Sequence, residues 1–135
     1  MIVLDASVLV NVVGDDGPDG EASRRLLAME QEAALPDLAD VETVAVLRRR
    51  WLAKDLTARR FAAALDDLTQ LPFQRYPSLR LMHRAYELRA NVTAYDATYV
   101  ALAEALRCDL VTADGRLARA PGIRCAVRVL KVARH

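Results

Sequence analysis

The chain has 135 residues, of which 53% are hydrophobic and 27% charged, with a formal net charge of +1. This length predicts one domain over residues 1–135, large enough to bury a core without disulfides or a structural metal. The small net charge argues against a basic field over the whole molecule that would attract nucleic acid. No apolar run reaches the ~20 residues of a membrane span, and the start lacks the basic segment of a signal peptide. A cytoplasmic protein without a membrane partner is expected.

Short apolar segments alternate with amphipathic ones along the chain. In chain order, the predicted elements are a strand at Ile2–Leu4, a loop at 14–20, a helix at 21–31, a strand at 33–35, helices at 37–54 and 57–71, a strand at 73–76, a helix from Ser78 to about Arg89, a helix at 93–107, a strand at 110–112, a helical turn at 115–119 and a strand at 126–130. Alternation of this kind favours a parallel sheet covered by helices on both faces.

The predicted topology places several acidic residues at one edge of the sheet. In a parallel sheet the connecting helices run antiparallel to the strands, so helix N-termini meet strand C-termini at the edge where open α/β sheets bind ligands. Asp5 ends the first strand, Glu42 lies early in the helix after the second strand, Asp96 lies in a first helical turn, and Asp114 follows the strand at 110–112. We therefore expect these four carboxylates to lie together.

Three of these acids also have an ordinary structural explanation. Asp5 can cap a helix over 7–13, Asp96 completes a T-x-x-D capping box with Thr93, and Asp114-Gly115 is a common turn dipeptide. Two observations favour a site instead: Glu42 and Asp96 are both predicted to face inward. The stripe beside Glu42 is Leu38, Val41, Ala45 and Leu52, and Asp96 has Tyr99, Val100 and Ala103 at helical spacing.

Inward-facing carboxylates require a compensating cation. Two anions about 5 Å apart repel by about 3 kcal/mol at an effective dielectric near 20, and no lysine or histidine adjoins any of the four acids in sequence. The simplest cation is a hard divalent metal, Mg²⁺ or Mn²⁺, bound by carboxylate oxygens. The hydroxyls of Ser7 and Thr112 are expected to support this site by holding water on the metal.

Four segments of the chain resemble one known family: MIVLDASVLV, DVETVAVLRR, NVTAYDATYVALAEAL and LVTADGRL. Together they are similar to PIN-domain proteins, and specifically to the VapC-type toxins of bacterial toxin–antitoxin pairs. The resemblance spans nearly the whole chain. It identifies Asp5, Glu42, Asp96 and Asp114 with the acidic quartet of the family, and Ser7 with its hydroxyl after the first aspartate. Asp109, the nearest candidate for a fifth acid, begins its strand and is expected at the opposite edge.

The resemblance implies a fold, an activity and partners. The implied fold is a three-layer α/β/α sandwich around a parallel sheet of four to five strands. The implied activity is that of an endoribonuclease that needs Mg²⁺ or Mn²⁺ and hydrolyses RNA phosphodiester bonds with water activated by the metal. The implied partners are a VapB-type antitoxin that inhibits the toxin, the RNA substrate and a second copy in a homodimer.

Basic residues near the acidic site are the candidates for contacting RNA. Arg49 lies two turns beyond Glu42 on nearly the same helix face, while Arg116 and Arg119 follow Asp114. His83 is expected to be structural, and neither it nor His135 is assigned any chemistry. Cys108 and Cys125 are expected to be reduced thiols packed in the core.

Two alternatives from other classes remain open at this point. A haloacid-dehalogenase-like phosphohydrolase would also end its first strand with an aspartate, but it needs a second carboxylate two residues later, where this chain has Ser7. A non-catalytic interaction module would use the acids as helix caps and would present apolar helix faces, such as the stripe Phe61, Ala64, Leu65 and Leu68, to a protein partner.

Overall fold

A five-stranded parallel sheet forms the centre of the structure, a computed structural model that describes residues 1–131. The strands run in the order β3-β2-β1-β4-β5. They are β1 (Ile2–Leu4), β2 (Ala33–Pro36), β3 (Gln74–Tyr76), β4 (Asp109–Thr112) and β5 (Val127–Val129). The helices are α1 (Ala6–Gly14), α2 (Pro18–Met29), α3 (Leu38–Leu52), α4 (Ala58–Gln70), α5 (Met82–Glu87) and α6 (Ala94–Leu106), with short 3-10 turns at Ser78–Leu81 and Leu117–Arg119.

The first strand occupies the middle of the sheet. β1 pairs with β2 on one side and with β4 on the other, with Leu4 opposite Val111. All three residues of β1 are fully buried, as expected for a strand covered on both faces. The pairing continues past the strand, since the Asp5 N–H donates to the Val111 carbonyl oxygen at 3.1 Å. Asp5 is thereby held at the point where β1 and β4 both end.

The helices pack in two groups. Helix α1 contacts α2, α3 and α4, whereas α6 contacts α5 and the strands β1, β2 and β4. The parallel sheet with helices on both faces confirms the predicted α/β/α architecture.

The junction between the first two helices is shorter than predicted. The expected loop at 14–20 is reduced to residues 15–17, because α1 extends to Gly14 and α2 begins at Pro18 instead of residue 21. Proline suits the first turn of a helix, where its missing N–H has no partner to lose. The Asp15 carboxylate accepts hydrogen bonds from the N–H groups of Gly17 and Gly20, at 2.7 and 3.2 Å, which closes the junction.

The predicted helix starting at Ser78 is wrong in its start and its cap. A 3-10 turn occupies Ser78–Leu81, and α5 runs only over Met82–Glu87. The Ser78 hydroxyl donates to the Asp37 carboxylate, which also accepts from the Ser78 N–H at 3.1 Å. The Ser78 side chain, which was expected to cap the helix, is therefore bonded to Asp37, forty-one residues earlier in the chain.

The face that α3 turns inward also differs from the prediction. The buried side chains are Ala39, Thr43 and Leu47, whereas Val41 and Leu52 are 72% and 53% exposed. The predicted stripe is thus mostly on the solvent side. Glu42 is half-buried, beside the inner face of the helix.

Both cysteines are unpaired and only partly buried. They pack against the edge of the hydrophobic core without belonging to its fully buried set. Burial raises the pKa of the Cys125 thiol to about 11 and also raises that of Cys108, so both thiols are protonated at neutral pH. Within residues 1–131, no helix is long and apolar enough to cross a bilayer.

Candidate active site

Asp5 is a buried carboxylate that also caps a helix. Its side chain is the N-cap of α1 and accepts from the Val8 N–H at 3.3 Å. The Ser7 hydroxyl donates to the same oxygen, and the residue is only 6% exposed. Burial raises the pKa of Asp5, the hydrogen bonds from Ser7, Thr112 and Val8 oppose that shift, and the charge of Asp96 adds to it. The capping explanation is correct, but it does not account for the neighbouring negative charge.

Ser7 and Thr112 join the ends of β1 and β4. The Ser7 hydroxyl oxygen accepts from the Ala113 N–H at 3.0 Å. The Thr112 hydroxyl oxygen accepts from the Asp114 N–H, also at 3.0 Å, and Thr112 is fully buried. These two hydroxyls therefore set the path of the chain that leads to Asp114.

Glu42 approaches the site from α3 and has a partner that the sequence reasoning did not identify. The hydroxyl of Tyr99 donates to Glu42 Oε1 at 3.3 Å, and Tyr99 is 1% exposed. Burial raises the pKa of Glu42, and the charges of Asp96 and Asp5 raise it further. Burial and the charges of Glu42 and Asp5 also raise the pKa of Tyr99 well above its ordinary value, so the hydroxyl stays a donor. The sequence feature that could have identified Tyr99 is its position three residues after Asp96, on the predicted inward face of the same helix.

Asp96 lies in the first turn of α6, next to its cap. The Asp96 N–H donates to the Thr93 hydroxyl oxygen at 3.2 Å, which confirms the predicted cap. The predicted inward neighbours Tyr99, Val100 and Ala103 are all buried. Burial raises the pKa of Asp96, and the charge of Asp114 raises it further, although the Thr93 hydroxyl lowers it in part.

Asp114 differs from the other three acids because it is paired with a cation. The guanidinium of Arg116 donates to both of its oxygens, Nη2 to Oδ2 at 2.9 Å and Nε to Oδ1 at 3.1 Å. Asp114 is also the most open of the four, with a side chain that is 39% exposed. The hydrogen bonds from Arg116 lower the pKa of Asp114.

The four carboxylates lie at the carboxyl edge of the sheet, near enough for their charges to interact. Each of Asp5, Glu42 and Asp96 has its pKa raised in part by the charge of another member. A cleft of about 240 Å³ opens beside Asp96 and Asp114. Its other lining residues are Asn91, Val92, Thr93, Arg116, Leu117 and Ala120. Within residues 1–131, however, no three carboxylate, histidine or cysteine side chains lie close enough together to hold a metal ion as they stand.

Other candidates from the sequence lie at varying distances from this edge. Arg119 is close enough for its charge to lower the pKa of Asp114, whereas Arg49 is exposed and makes no hydrogen bond or ion pair with Glu42 in the described structure. Asp109 lies at the start of β4, where it pairs with Arg128 at 2.8 Å, as expected for the opposite edge. His83 is exposed on α5, and the structural role expected for it stays a prediction. His135 lies outside the described residues.

A sequence model of the PIN domain matches residues 2–123. The chain belongs to the PIN-domain family. Its likeness to VapC proteins within the family is also confirmed, since it is 42% identical over 130 residues to Ribonuclease VapC1 of Mycobacterium tuberculosis, covering 96% of this chain and 97% of the relative.

Solved structures agree with the PIN-domain fold. VapC20 of M. tuberculosis, described as a Sarcin-Ricin loop cleaving toxin, superposes with a TM-score of 0.71 over 92% of this chain and 97% of that one, at 18% identity. VapBC2 from Rickettsia felis, solved with a DNA fragment from its promoter, gives a TM-score of 0.68 over 97% of this chain and 100% of that one, at 16% identity. Membership of the PIN-domain family separates the chain from the haloacid-dehalogenase-like alternative.

Proposed function

We propose that this PIN-domain protein is the toxin ribonuclease of a VapBC-type toxin–antitoxin pair and that it acts as an endoribonuclease. The observation that carries the proposal is the meeting of Asp5, Glu42, Asp96 and Asp114 at the carboxyl edge of the sheet. Asp5, Glu42 and Asp96 are partly or fully buried, and burial and the charge of another of the four carboxylates raise the pKa of each. None of the three forms a salt bridge in the described structure. Strong likeness to a ribonuclease over nearly the whole chain supports RNA as the substrate.

Divalent metal dependence is part of the proposal. All the donors are hard oxygens of the kind that Mg²⁺ and Mn²⁺ prefer, and a shared cation would relieve the repulsion among the three unpaired acids. Asp5, Glu42, Asp96 and Asp114 would hold the ion, after side-chain adjustment to bring them closer. When bound, such an ion promotes ionisation of water and neutralises charge that develops on the phosphate.

The protein contributes by holding these acids in place. Asp5 is positioned by the end of β1 and by its own helix cap, so its carboxylate has little freedom. Tyr99 orients Glu42, and Ser7 and Thr112 hold the backbone that carries Asp114. Fixed oxygens of this kind lower the reorganisation that would otherwise accompany reaction.

RNA binding is assigned to the basic residues around the acidic site. Arg116 lines the cleft beside Asp96 and Asp114, and Arg119 lies near the same turn. Arg49 is exposed further along α3, where it would contact RNA only outside the cleft. Arginine is well suited to phosphate because its planar group donates in a fork.

The proposed protein partners are a VapB-type antitoxin and a second copy of the chain. The proposed location is the cytoplasm. The R. felis relative is a VapBC2 complex, which supports an antitoxin partner here. Exposed apolar side chains on α3 and α4, such as Val41 and Leu65, leave surface for protein contacts. If the chain is the toxin, we expect it to co-purify with the product of a neighbouring antitoxin gene. We also expect RNA cleavage to be lost in that complex.

The decisive test of the catalytic proposal is RNA cleavage by purified Asp5→Asn and Asp96→Asn variants. Asparagine retains the shape of the side chain and its capping ability, so the far-UV circular dichroism spectrum should be unchanged. We expect each variant to lose cleavage by about 100-fold or more, and the wild type to lose it in EDTA and regain it with Mn²⁺ or Mg²⁺.

Asp109→Asn is the matched control, because this acid lies at the opposite edge of the sheet and pairs with Arg128. It should cleave RNA as the wild type does. Cleavage that persists in EDTA would contradict the metal, and full activity in both site variants would contradict the proposed catalytic centre.

A further inference from the structure

The ion pair between Arg116 and Asp114 occupies both oxygens of one proposed metal ligand. Arg116 Nε lies 3.1 Å from Oδ1 and 3.3 Å from Oδ2, and its Nη2 lies 2.9 Å from Oδ2. Within residues 1–131, none of Asp5, Glu42 and Asp96 forms a salt bridge. Asp114 is therefore the one member of the acidic group that is already neutralised by a side chain of the protein.

Arg116 must leave Asp114 before this carboxylate can give its oxygens to a cation. The two partners are only two residues apart, and the Arg116 side chain is 86% exposed, so it can rotate away without disturbing any packing. The Arg116 backbone N–H donates to Asp114 Oδ1 at 2.9 Å. This bond holds the carboxylate in place whether or not the guanidinium is present.

The released guanidinium has a second partner within reach. Arg116 lines the cleft beside Asp96, together with Asn91 and Thr93, and a phosphate bound there would lie against its fork of donors. An exposed pair of this kind contributes little stability, so exchanging one anionic partner for another is easy.

We propose that Arg116 alternates between Asp114 in the metal-free protein and a nucleic-acid phosphate in the metal-loaded protein. It thereby competes with the metal for Asp114 and positions the substrate once the metal has bound. This inference rests on the proposed function, since it needs the metal and the phosphodiester substrate assigned above.

The test measures Mn²⁺ binding to the full chain without nucleic acid, by the electron paramagnetic resonance signal of free Mn²⁺. We expect Arg116→Gln to bind Mn²⁺ about two- to fivefold more tightly than the wild type, the range that one exposed ion pair is worth. Arg119→Gln is the control, because Arg119 affects Asp114 by its charge but donates no hydrogen bond to it. Arg119→Gln should change the Mn²⁺ affinity by less than half as much as Arg116→Gln does.

A second measurement tests the phosphate partner. Binding of a labelled mixed-sequence DNA 12-mer, which carries the same phosphates and lacks the 2′-hydroxyl, is followed by fluorescence anisotropy at saturating Mn²⁺. Arg116→Gln should bind this probe about threefold more weakly although it binds Mn²⁺ more tightly. Opposite changes in the two affinities are not produced by a general loss of structure.

The outcomes separate this inference from the proposed function. If the wild type binds Mn²⁺ and needs it for cleavage while Arg116→Gln and Arg119→Gln bind it alike, the proposed function stands and competition is overturned. Unchanged affinity for the DNA probe overturns the phosphate partner. A wild type that binds no Mn²⁺ and cleaves RNA in EDTA overturns both the inference and the metal dependence.

Discussion

Individual carboxylates in this PIN domain have a structural role beside the chemical role proposed for them. Asp5 caps α1 and Asp96 sits beside the cap of α6, yet burial and the charge of a neighbouring carboxylate raise the pKa of each. Capping needs only a side-chain oxygen, which asparagine also supplies. The negative charge itself is therefore what the fold retains at a cost, and a charge of this kind is typical of a functional site.

Tyr99 offers a test at the residue scale that leaves every carboxylate in place. Removing its hydroxyl in Tyr99→Phe frees Glu42 from its donor, and losing one hydrogen bond to a charged group is worth about 1.5–3 kcal/mol. We expect a loss of RNA cleavage of about tenfold or more in kcat, with the fold retained, measured by initial rates at saturating metal.

Tyr86→Phe is the corresponding control, because Tyr86 is 64% exposed and keeps its ring stacked under Arg89. Equal rates for Tyr99→Phe and Tyr86→Phe would show that Glu42 does not depend on this hydroxyl.

At the scale of elements, local patterns predicted some helix caps and missed the Ser78 cap and the inner face of α3. Thr93 caps α6 as expected by accepting from the Asp96 N–H, and Thr57 caps α4 in the same way by accepting from the Arg60 N–H. The inner face of α3 was wrong, since Val41 and Leu52 lie outside and Ala39, Thr43 and Leu47 inside. The Thr93 cap is formed within four residues, whereas Ser78 bonds to the distant Asp37. A helix with apolar residues on several sides takes its orientation from what packs against it.

The junction between α1 and α2 provides a prediction about stability. A methyl group at Gly20 would overlap the carbonyl oxygen of Asp15, whereas one at Gly115 would meet nothing within 4 Å. Gly20→Ala should lower the free energy of unfolding by about 1–3 kcal/mol, as overpacking does, and Gly115→Ala should leave it nearly unchanged. Urea unfolding of the two variants compares them directly. Equal midpoints would show that the junction shifts freely.

At the scale of the whole molecule, the acidic edge is expected to lower the stability of the metal-free fold. Asp96 is partly buried near other carboxylates, so neutralising it should stabilise the metal-free fold. We expect Asp96→Asn to raise the thermal midpoint in EDTA by roughly 2–5 °C, measured by circular dichroism.

Asp114→Asn should not raise the midpoint, because Asp114 loses a favourable pair with Arg116. If both variants melt at the wild-type temperature, the acidic edge imposes no cost on the fold.

The order of apolar segments along the chain is enough to predict the parallel sheet and the edge at which the acidic residues lie. Buried strands alternating with helices imply a parallel sheet, and because the connecting helices run antiparallel to the strands, strand C-termini and helix N-termini meet at one edge. Asp5, Glu42, Asp96 and Asp114 could therefore be placed together although they span 110 residues of sequence.

Only the tertiary structure decided which partner each of these side chains has. Three side-chain contacts depend on distances set by packing: the hydrogen bond from Tyr99 to Glu42, the one from Ser78 to Asp37 and the bidentate pair of Arg116 with Asp114. The periodicity of apolar residues indicates which residues are buried. It does not indicate which of several polar groups lies within about 3 Å of a given side chain. Hydrogen bonds act over that short range, so their pairing emerges only after the elements have packed.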